Sequence, residues 1–285
     1  MLSQTQFLST PSVRKTISLD LPTLLLLAGM HLLFWGNFFL YYHYRLPILA
    51  HVFFGAVAIH CSFTIWHEAA HSNVSNKTWI NNLTGILGMF PYMTPYFTQK
   101  YIHLQHHMKM NEKDDPNFVY TDGPFWQLPL RYPRGARYIK ELLRKNPLKS
   151  AEKKWDTVSF LIIAGIYLTA LVKGFFGDLL WLWILPFFCA KIVMDWYVNY
   201  IPHAGLPADR YRGTRIITAR WLTPLVLGHN YHAIHHLWPR HPWYQYIPVF
   251  KSKRDELVKQ GVPFESSPFH FSYAPGFGRG TSSAE

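Results

Sequence analysis

Residues 47–71 read PILAHVFFGAVAIHCSFTIWHEAAH, an apolar run that ends in two histidines four positions apart. An α-helix rises about 1.5 Å per residue, so about 20 such residues cross the roughly 30 Å hydrocarbon core of a bilayer. The run therefore predicts a membrane-spanning helix. Its last turn carries His67 and His71 on one face, because residues four apart in a helix share a face.

The same length criterion identifies three further spanning segments, which gives four in all, at 22–42, 47–66, 157–172 and 179–197. Two shorter apolar stretches, 83–97 and 216–227, cannot cross and are predicted to be interfacial or re-entrant pieces, the first of them broken by Pro91 and Pro95. The sequence thus predicts an all-α integral membrane protein of four transmembrane helices in two hairpins, with a cytoplasmic helical cap that holds a metal site. The predicted parts are an N-terminal segment at 1–19, the membrane domain at 20–250 and a C-terminal tail at 251–285.

The net charge of +12 is distributed unevenly. The two hairpin turns contain only Arg45 and Lys173, and Lys191 alone lies inside a predicted helix, whereas the other Lys and Arg residues fall in the terminal segments and the large loops. The positive-inside rule therefore places both termini and the large loops in the cytoplasm. No Lys/Arg-rich helix or zinc-finger spacing accompanies the charge, so a nucleic-acid partner is not expected.

Eight of the sixteen histidines fall in three windows, HEAAH at 67–71, HLQHH at 103–107 and HAIHH at 232–236. In the predicted topology all three windows reach the cytoplasmic face, so they are predicted to form one metal site. Eight imidazole nitrogens exceed what a single ion uses, which favours two ions. The predicted ligands are His67, His71, His103, His106, His107, His232, His235 and His236.

The end of the fourth predicted helix adds a polar stripe, because Lys191, Asp195, Asn199 and His203 recur at a spacing of four. Polar residues at membrane depth are costly and usually functional. His203 is predicted to supply a ninth nitrogen ligand. Asn199 is predicted to supply an oxygen, directly or through water, while Lys191 and Asp195 pair with each other.

Ligand histidines usually donate their second ring nitrogen to a carboxylate or another acceptor. The carboxylates that sequence position places near the histidines are Glu68, Asp114, Asp115 and Asp195. His229, just before the third window, is predicted to support the site or to substitute for a ligand.

With these windows in view, the chain resembles the membrane fatty acid desaturase and hydroxylase superfamily, whose pattern is three histidine boxes around two helical hairpins. The pair Asn199-x-x-x-His203 matches the extra ligand pair of acyl desaturases. The resemblance implies a non-haem di-iron centre, with two Fe ions, that activates O2 with electrons from a ferredoxin- or cytochrome-type donor.

The sequence around the boxes is most similar to that of the cyanobacterial-type β-carotene ring hydroxylases. The stretches that carry this resemblance are AIHCSFTIWHEAAH, YIHLQHHMKMNEKDDPNFV, TDGPFWQLPLRY and GHNYHAIHHLWPRHPWYQY. It implies hydroxylation of the β-carotene ring, with a carotenoid taken from the bilayer. Fatty acyl desaturases and decarboxylating, alkene-forming desaturases share most of these motifs. An acyl lipid substrate is therefore the open alternative.

Two other classes of function fit part of this pattern. HEAAH also satisfies H-E-x-x-H, in which two histidines bind zinc and the glutamate is the general base of a protease. That function leaves the six other boxed histidines without a role. A histidine-rich metal transporter is disfavoured because transporter sites lie near the bilayer midplane, often between repeated halves.

Overall fold

A computed structural model describes residues 19–269. Almost all of the predicted N-terminal segment, and the predicted tail from residue 270 onward, lie outside the described residues. The helices are α1 (Leu21–His43), α2 (Ile48–Ala70), α3 (Thr78–Met89), α4 (Tyr96–Lys109), α5 (Phe118–Thr121), α6 (Leu128–Lys145), α7 (Ser150–Lys173), α8 (Phe176–Leu179), α9 (Leu185–Met194), α10 (Leu222–Leu225), α11 (His232–Leu237) and α12 (Tyr246–Lys259), and the strands are β1 (Ile216–Ile217) and β2 (Phe264–Glu265).

Within the described residues, four helices are long and apolar enough to cross a membrane: α1, α2, α7 and a continuous helix Phe176–Tyr200. This last one joins α8 and α9 through a π-helical turn at Leu180–Ile184 and ends in a second one at Asp195–Tyr200. The helices exceed the predicted spans because helical hydrogen bonding continues past the apolar run. At the start of α7, for example, the carboxylate of Glu152 accepts a hydrogen bond from the backbone N–H of Lys149 at 3.2 Å.

Helix α2 lies at the centre of the fold and contacts α1, α3 and α9. Its approach to α3 is close, because the Ser62 hydroxyl donates to the backbone carbonyl of Gly88. A Cβ at Gly88 would lie 2.9 Å from the side chain of Ile65. This packing fixes the end of α2, where the first histidine window lies.

The stretch 83–97 is broken at its prolines, because α3 ends at Met89 and α4 begins only at Tyr96, beyond Pro91 and Pro95. The carboxylate of Asp156, on α7, accepts hydrogen bonds from the backbone N–H groups of Phe97 and Thr98 at 2.9 and 2.7 Å. A carboxylate satisfies the free N–H groups at a helix N-terminus and is favoured by the helix dipole. Asp156 thereby anchors α4, which carries the second histidine window, to α7.

The C-terminal part differs from the prediction. The predicted boundary at residue 250 falls inside α12, and the chain continues to β2, which pairs in parallel with β1. Tyr246 and Leu257 of α12 are fully buried against Ile234 of α11, so burial of an apolar face keeps this segment on the domain. The two-residue strand pair is a small departure from the all-α prediction.

Candidate metal centre

The three histidine windows lie on helices, as predicted. The first is the end of α2, the second lies in α4 and the third in α11, while His203 follows the fourth spanning helix. The structure brings all nine of these side chains together, although they come from four separate parts of the chain. They are buried or nearly so, and His107 and His236 are the most exposed of them.

The first group of imidazoles consists of His67, His71, His103, His107 and His235, whose nitrogens all lie within 4.8 Å of one another. The Nε2–Nε2 distance is 3.0 Å between His67 and His235, 2.7 Å between His71 and His103, and 2.8 Å between His235 and His107. Five rings from three helices therefore point their Nε2 atoms at one small volume.

The second group consists of His106, His203 and His236, which meet the same 4.8 Å criterion. His232 adjoins it, with its Nε2 atom 3.1 Å from Nε2 of His236 and its ring centroid 4.9 Å from that of His203. The two groups touch, because the rings of His107 and His236 stack with their centroids 4.2 Å apart. The arrangement is a single cluster with two centres.

The cluster fits metal ions better than hydrogen bonds between imidazoles. Two nitrogens each about 2.1 Å from one ion and at right angles are roughly 3 Å apart, which is the spacing seen between the Nε2 atoms. Burial lowers the pKa of His71 to about 3 and holds the pKa values of His103 and His235 well below the usual range. The neutral imidazole that results is the form that binds a metal. Imidazole suits iron, zinc, copper and nickel alike, so the ligand type does not name the ion.

Two of the four predicted carboxylates lie beside the cluster. Both oxygens of buried Asp115 lie 2.9 and 3.0 Å from Nδ1 of His106, and they also accept from the backbone N–H groups of Asn111 and Asn117. The bond from His106 leaves its Nε2 atom free to face the second group. Asp115 therefore holds this imidazole in the orientation and tautomer that a metal requires.

Glu68 is fully buried, with one carboxylate oxygen 3.6 Å from Nδ1 of His67. It accepts hydrogen bonds from the side-chain amide of Asn73 at 2.8 Å and from the hydroxyl of Tyr246 at 3.4 Å. The same hydroxyl lies 3.3 Å from Nδ1 of His235. Tyr246 links the first and third windows, and nothing in the local sequence around it indicated this role.

The other two carboxylates do not have the predicted role. Asp114 turns outward, with its side chain 53% exposed, and pairs with Lys109 instead of an imidazole. Consecutive residues in the turn point in different directions, so only Asp115 faces inward. Asp195 is buried but accepts from the Lys191 ammonium at 2.8 Å, as predicted for that pair, and from Asn199 at 3.1 Å.

Asn199 lies next to the cluster, held between Asp195 and the side-chain amide of Asn117, which donates to its Oδ1 atom at 3.4 Å. His229 belongs to neither group. Its Nε2 atom lies 3.0 Å from the Thr64 hydroxyl, and its ring packs edge-on against His67. It supports the position of a predicted ligand.

A cavity of about 60 Å³ adjoins the cluster. His103, His106 and His232 form one wall, and Phe63, Trp66 and Met194 are among its apolar neighbours. The volume accepts a few small molecules or a short piece of a longer one. The space for a reacting group is thus beside both groups of histidines.

These observations define a polytopic helical protein with a two-centre imidazole cluster at the ends of its apolar helices. The chain belongs to the fatty acid desaturase family, whose model matches residues 42–268. The family assignment confirms the superfamily that the histidine boxes indicated.

Curated relatives are desaturases from several kingdoms. An sn-1 acyl-lipid omega-3 desaturase (ferredoxin) of Nostoc sp. (strain 36) is 24% identical over 53% of this chain and 48% of its own length. An sn-1 oleoyl-lipid 12-desaturase of Synechocystis sp. (strain ATCC 27184 / PCC 6803 / Kazusa) is 21% identical over 62% of this chain and 59% of its length. Fatty acid desaturase 3 of Homo sapiens is 23% identical over 85% of this chain and 62% of its length. The chain thus spans about half to three fifths of the length of these relatives.

Proposed function

We propose that this protein is a non-haem di-iron desaturase that oxidises a fatty acyl chain of a membrane lipid with O2. The observation that carries the proposal is the convergence of the boxed imidazoles into two adjoining groups with Nε2 atoms 2.7–3.1 Å apart. Family membership supports iron as the metal. Within this proposal, the first group of five histidines holds one ion, and His106, His203, His232 and His236 hold the other.

The proposed substrate is thus an acyl chain and not the β-carotene ring that the sequence around the boxes indicated. The comparisons give acyl-lipid desaturases and fatty acid conjugases and lend no support to carotenoid hydroxylation. The histidine boxes define the metal centre, which many substrates share, so resemblance of the boxes does not identify the substrate. The acyl alternative is therefore the better supported one.

The residues of this chain orient the metal ligands and the substrate, and they do not carry out the oxidation themselves. Removal of two hydrogens from an unactivated chain, with O2, two electrons and two protons giving two waters, needs redox chemistry that the bound iron supplies. Asp115 orients His106, and Glu68 with Tyr246 fixes His67 and His235. The cavity beside the histidines excludes bulk water and holds the reacting carbons.

The electrons are proposed to come from a ferredoxin. Two relatives carry this donor in their names, the Nostoc enzyme and an sn-2 acyl-lipid omega-3 desaturase (ferredoxin) of Helianthus annuus. A soluble donor reaches the site if the ends of the spanning helices that carry the histidines face the cytoplasm. The charge distribution along the sequence supports that orientation, and it supports the two-hairpin arrangement as well.

The zinc protease alternative finds no support in the site. A general base must reach a metal-bound water, whereas the Glu68 carboxylate is buried and hydrogen-bonded to Asn73 and Tyr246. His67 and His71 are also two of five clustered imidazoles and do not form a separate pair.

The proposal is tested in a host that makes both ordinary membrane lipids and β-carotene. We expect new double bonds in the acyl chains, unchanged carotenoids, and close to two irons per purified chain. His235→Ala is expected to lose iron and activity. The control His241→Ala, whose imidazole pairs with Gln245 outside the cluster, is expected to keep both. Zinc without iron, or polar carotenoids with unchanged fatty acids, would contradict the proposal.

A further inference from the structure

The cavity beside the metal centre has a polar wall that a purely hydrocarbon ligand does not need. Besides the histidines it is lined by the polar residues Gln99, Asn117, Lys191, Asp195 and Asn199. Charged side chains within a spanning helix are costly and usually mark a functional site. A cavity that received only methylene groups would leave desolvated any donor of this wall that the protein does not already pair.

Lys191 is the residue of this wall with unused hydrogen-bonding capacity. Its ammonium has three N–H donors. Among the described residues, its one hydrogen bond is to Oδ2 of Asp195, at 2.8 Å. It also lies over the rings of Tyr120 and Tyr132, at 5.8 and 5.1 Å from their centroids. N–H groups therefore remain available to a molecule in the cavity.

Asp195 holds this ammonium in place and already accepts three hydrogen bonds from the protein. Its carboxylate accepts from Lys191, from the Tyr132 hydroxyl at 2.5 Å and from the Asn199 amide at 3.1 Å, and it is 1% exposed. Because Asp195 balances the charge of Lys191, the pair is neutral overall. A neutral pair with spare donors suits a neutral oxygen acceptor better than an anion.

We infer that Lys191 donates a hydrogen bond to the acyl carbonyl oxygen of the lipid substrate, and so is a specificity-determining residue of this site. The inference rests on the proposed function, whose substrate it specifies as a carbonyl-linked chain. Since Lys191 and the histidines line the same small cavity, the carbons that are oxidised lie in the carboxyl half of the chain.

The test compares substrates that differ in one oxygen. Purified enzyme with its electron donor is given stearoyl and oleoyl ester glycerolipids, and separately the matched octadecyl and octadecenyl ethers, which lack the carbonyl. The wild type is expected to prefer the esters by about tenfold or more in kcat/KM, the range of a hydrogen bond to a charged group. Lys191→Met is expected to lower turnover of the ester to that of the ether. Lys191→Arg is expected to retain part of the preference.

Two further variants separate recognition from folding. Lys191→Met leaves Asp195 unpaired, so the double variant Lys191→Met/Asp195→Asn removes both charges together. Iron content and melting temperature are measured for each variant, and Lys153→Met, an exposed change at the start of α7, is the matched control.

The outcomes distinguish this inference from the proposed function. Wild-type enzyme that desaturates neither ester nor ether contradicts the proposed function. Equal turnover of ester and ether, an ester preference that survives in folded Lys191→Met and in the double variant, or a new double bond in the methyl half of the chain would overturn the role of Lys191.

Discussion

At the scale of single residues, the site depends on which side chain of a neighbouring pair faces inward. Asp114 and Asp115 are adjacent and chemically identical, yet Asp115 contacts His106 and Asp114 pairs with Lys109 at the surface. Asn111, with a φ of 61°, supports this turn, because Asn tolerates the left-handed conformation and its side chain donates to the backbone carbonyls of Pro207 and Gly213.

This pair provides a residue-level prediction with an internal control. Asp115→Ala is expected to lower iron affinity or activity by roughly 10–100-fold, because His106 loses the acceptor that fixes its tautomer. Asp114→Ala, one residue away, is expected to leave both nearly unchanged. Iron content and initial rates of acyl desaturation measure the effect. Equal losses in the two variants would show that Asp115 acts only through the stability of the turn.

At the scale of elements, the basic helix α6 has less free charge than its sequence suggests. The sequence between the second histidine window and α7 carries Arg131, Arg134, Arg137, Lys140, Arg144 and Lys145. In the structure Arg131 is buried, Arg134 pairs with Asp122, and Arg144 and Lys145 share the single carboxylate of Glu141. The helix stays positive, but because several of its cations are buried or paired it is a weaker docking surface for an acidic donor than its composition predicts.

The turn after α11 is the better candidate for the donor. Asn73, next to the first window, donates to the backbone carbonyl of Pro239 at 3.0 Å, so exposed Arg240 lies near His71. The charge of Arg240 also helps to lower the pKa of His71, after burial. An exposed cation close to the first group of histidines thus lies on this turn.

We therefore expect Arg240→Glu to raise the KM for ferredoxin by roughly tenfold, with a smaller change in kcat, because charge reversal at an interface rim acts mainly on association. Arg137→Glu on α6 is the matched control and is expected to have little effect. The effect of Arg240 should disappear at high salt, because screening shortens the range of exposed charges. Equal sensitivity of the two positions, or none at either, would remove this turn as the docking surface.

At the scale of the whole molecule, the cluster requires that the ends of α2, α4, α11 and the fourth spanning helix lie on one side of the membrane. Buried residues on both sides of the histidines support this convergence, with Trp66 and Val198 in one core cluster and Ile234 and Tyr246 in another. The loop that contains α6 therefore shares that side, while the turn near Gly174 lies at the other end of α7.

This arrangement predicts the topology. With Cys61 and Cys189 replaced by serine, a single cysteine at Lys145 should react with an impermeant thiol reagent only from the cytoplasmic side. A cysteine at Lys173 should react only from the opposite side. Labelling of residue 145 from outside would place the second and third windows on the face of the membrane opposite to the cytoplasm. A cytoplasmic donor could not reach them there.

Much of this protein is encoded locally in the sequence. The four apolar runs determine the spanning helices because lipid leaves a backbone no other way to satisfy its hydrogen bonds. The spacing in HEAAH, HLQHH and HAIHH places imidazoles on single helix faces, and the number of histidines indicated two centres. The Lys191–Asp195 pair also followed from spacing alone.

Tertiary structure decided what depends on residues distant in sequence. It selected Asp115 over Asp114, tied Asp195 to Asn199 instead of to an imidazole, and brought Tyr246 across 178 positions to Glu68. It also folded residues beyond 250 back onto the domain through α12 and β2. Periodicity shows which face of a helix a residue occupies, but the partner that meets this face is fixed only when helices from separate parts of the chain pack together.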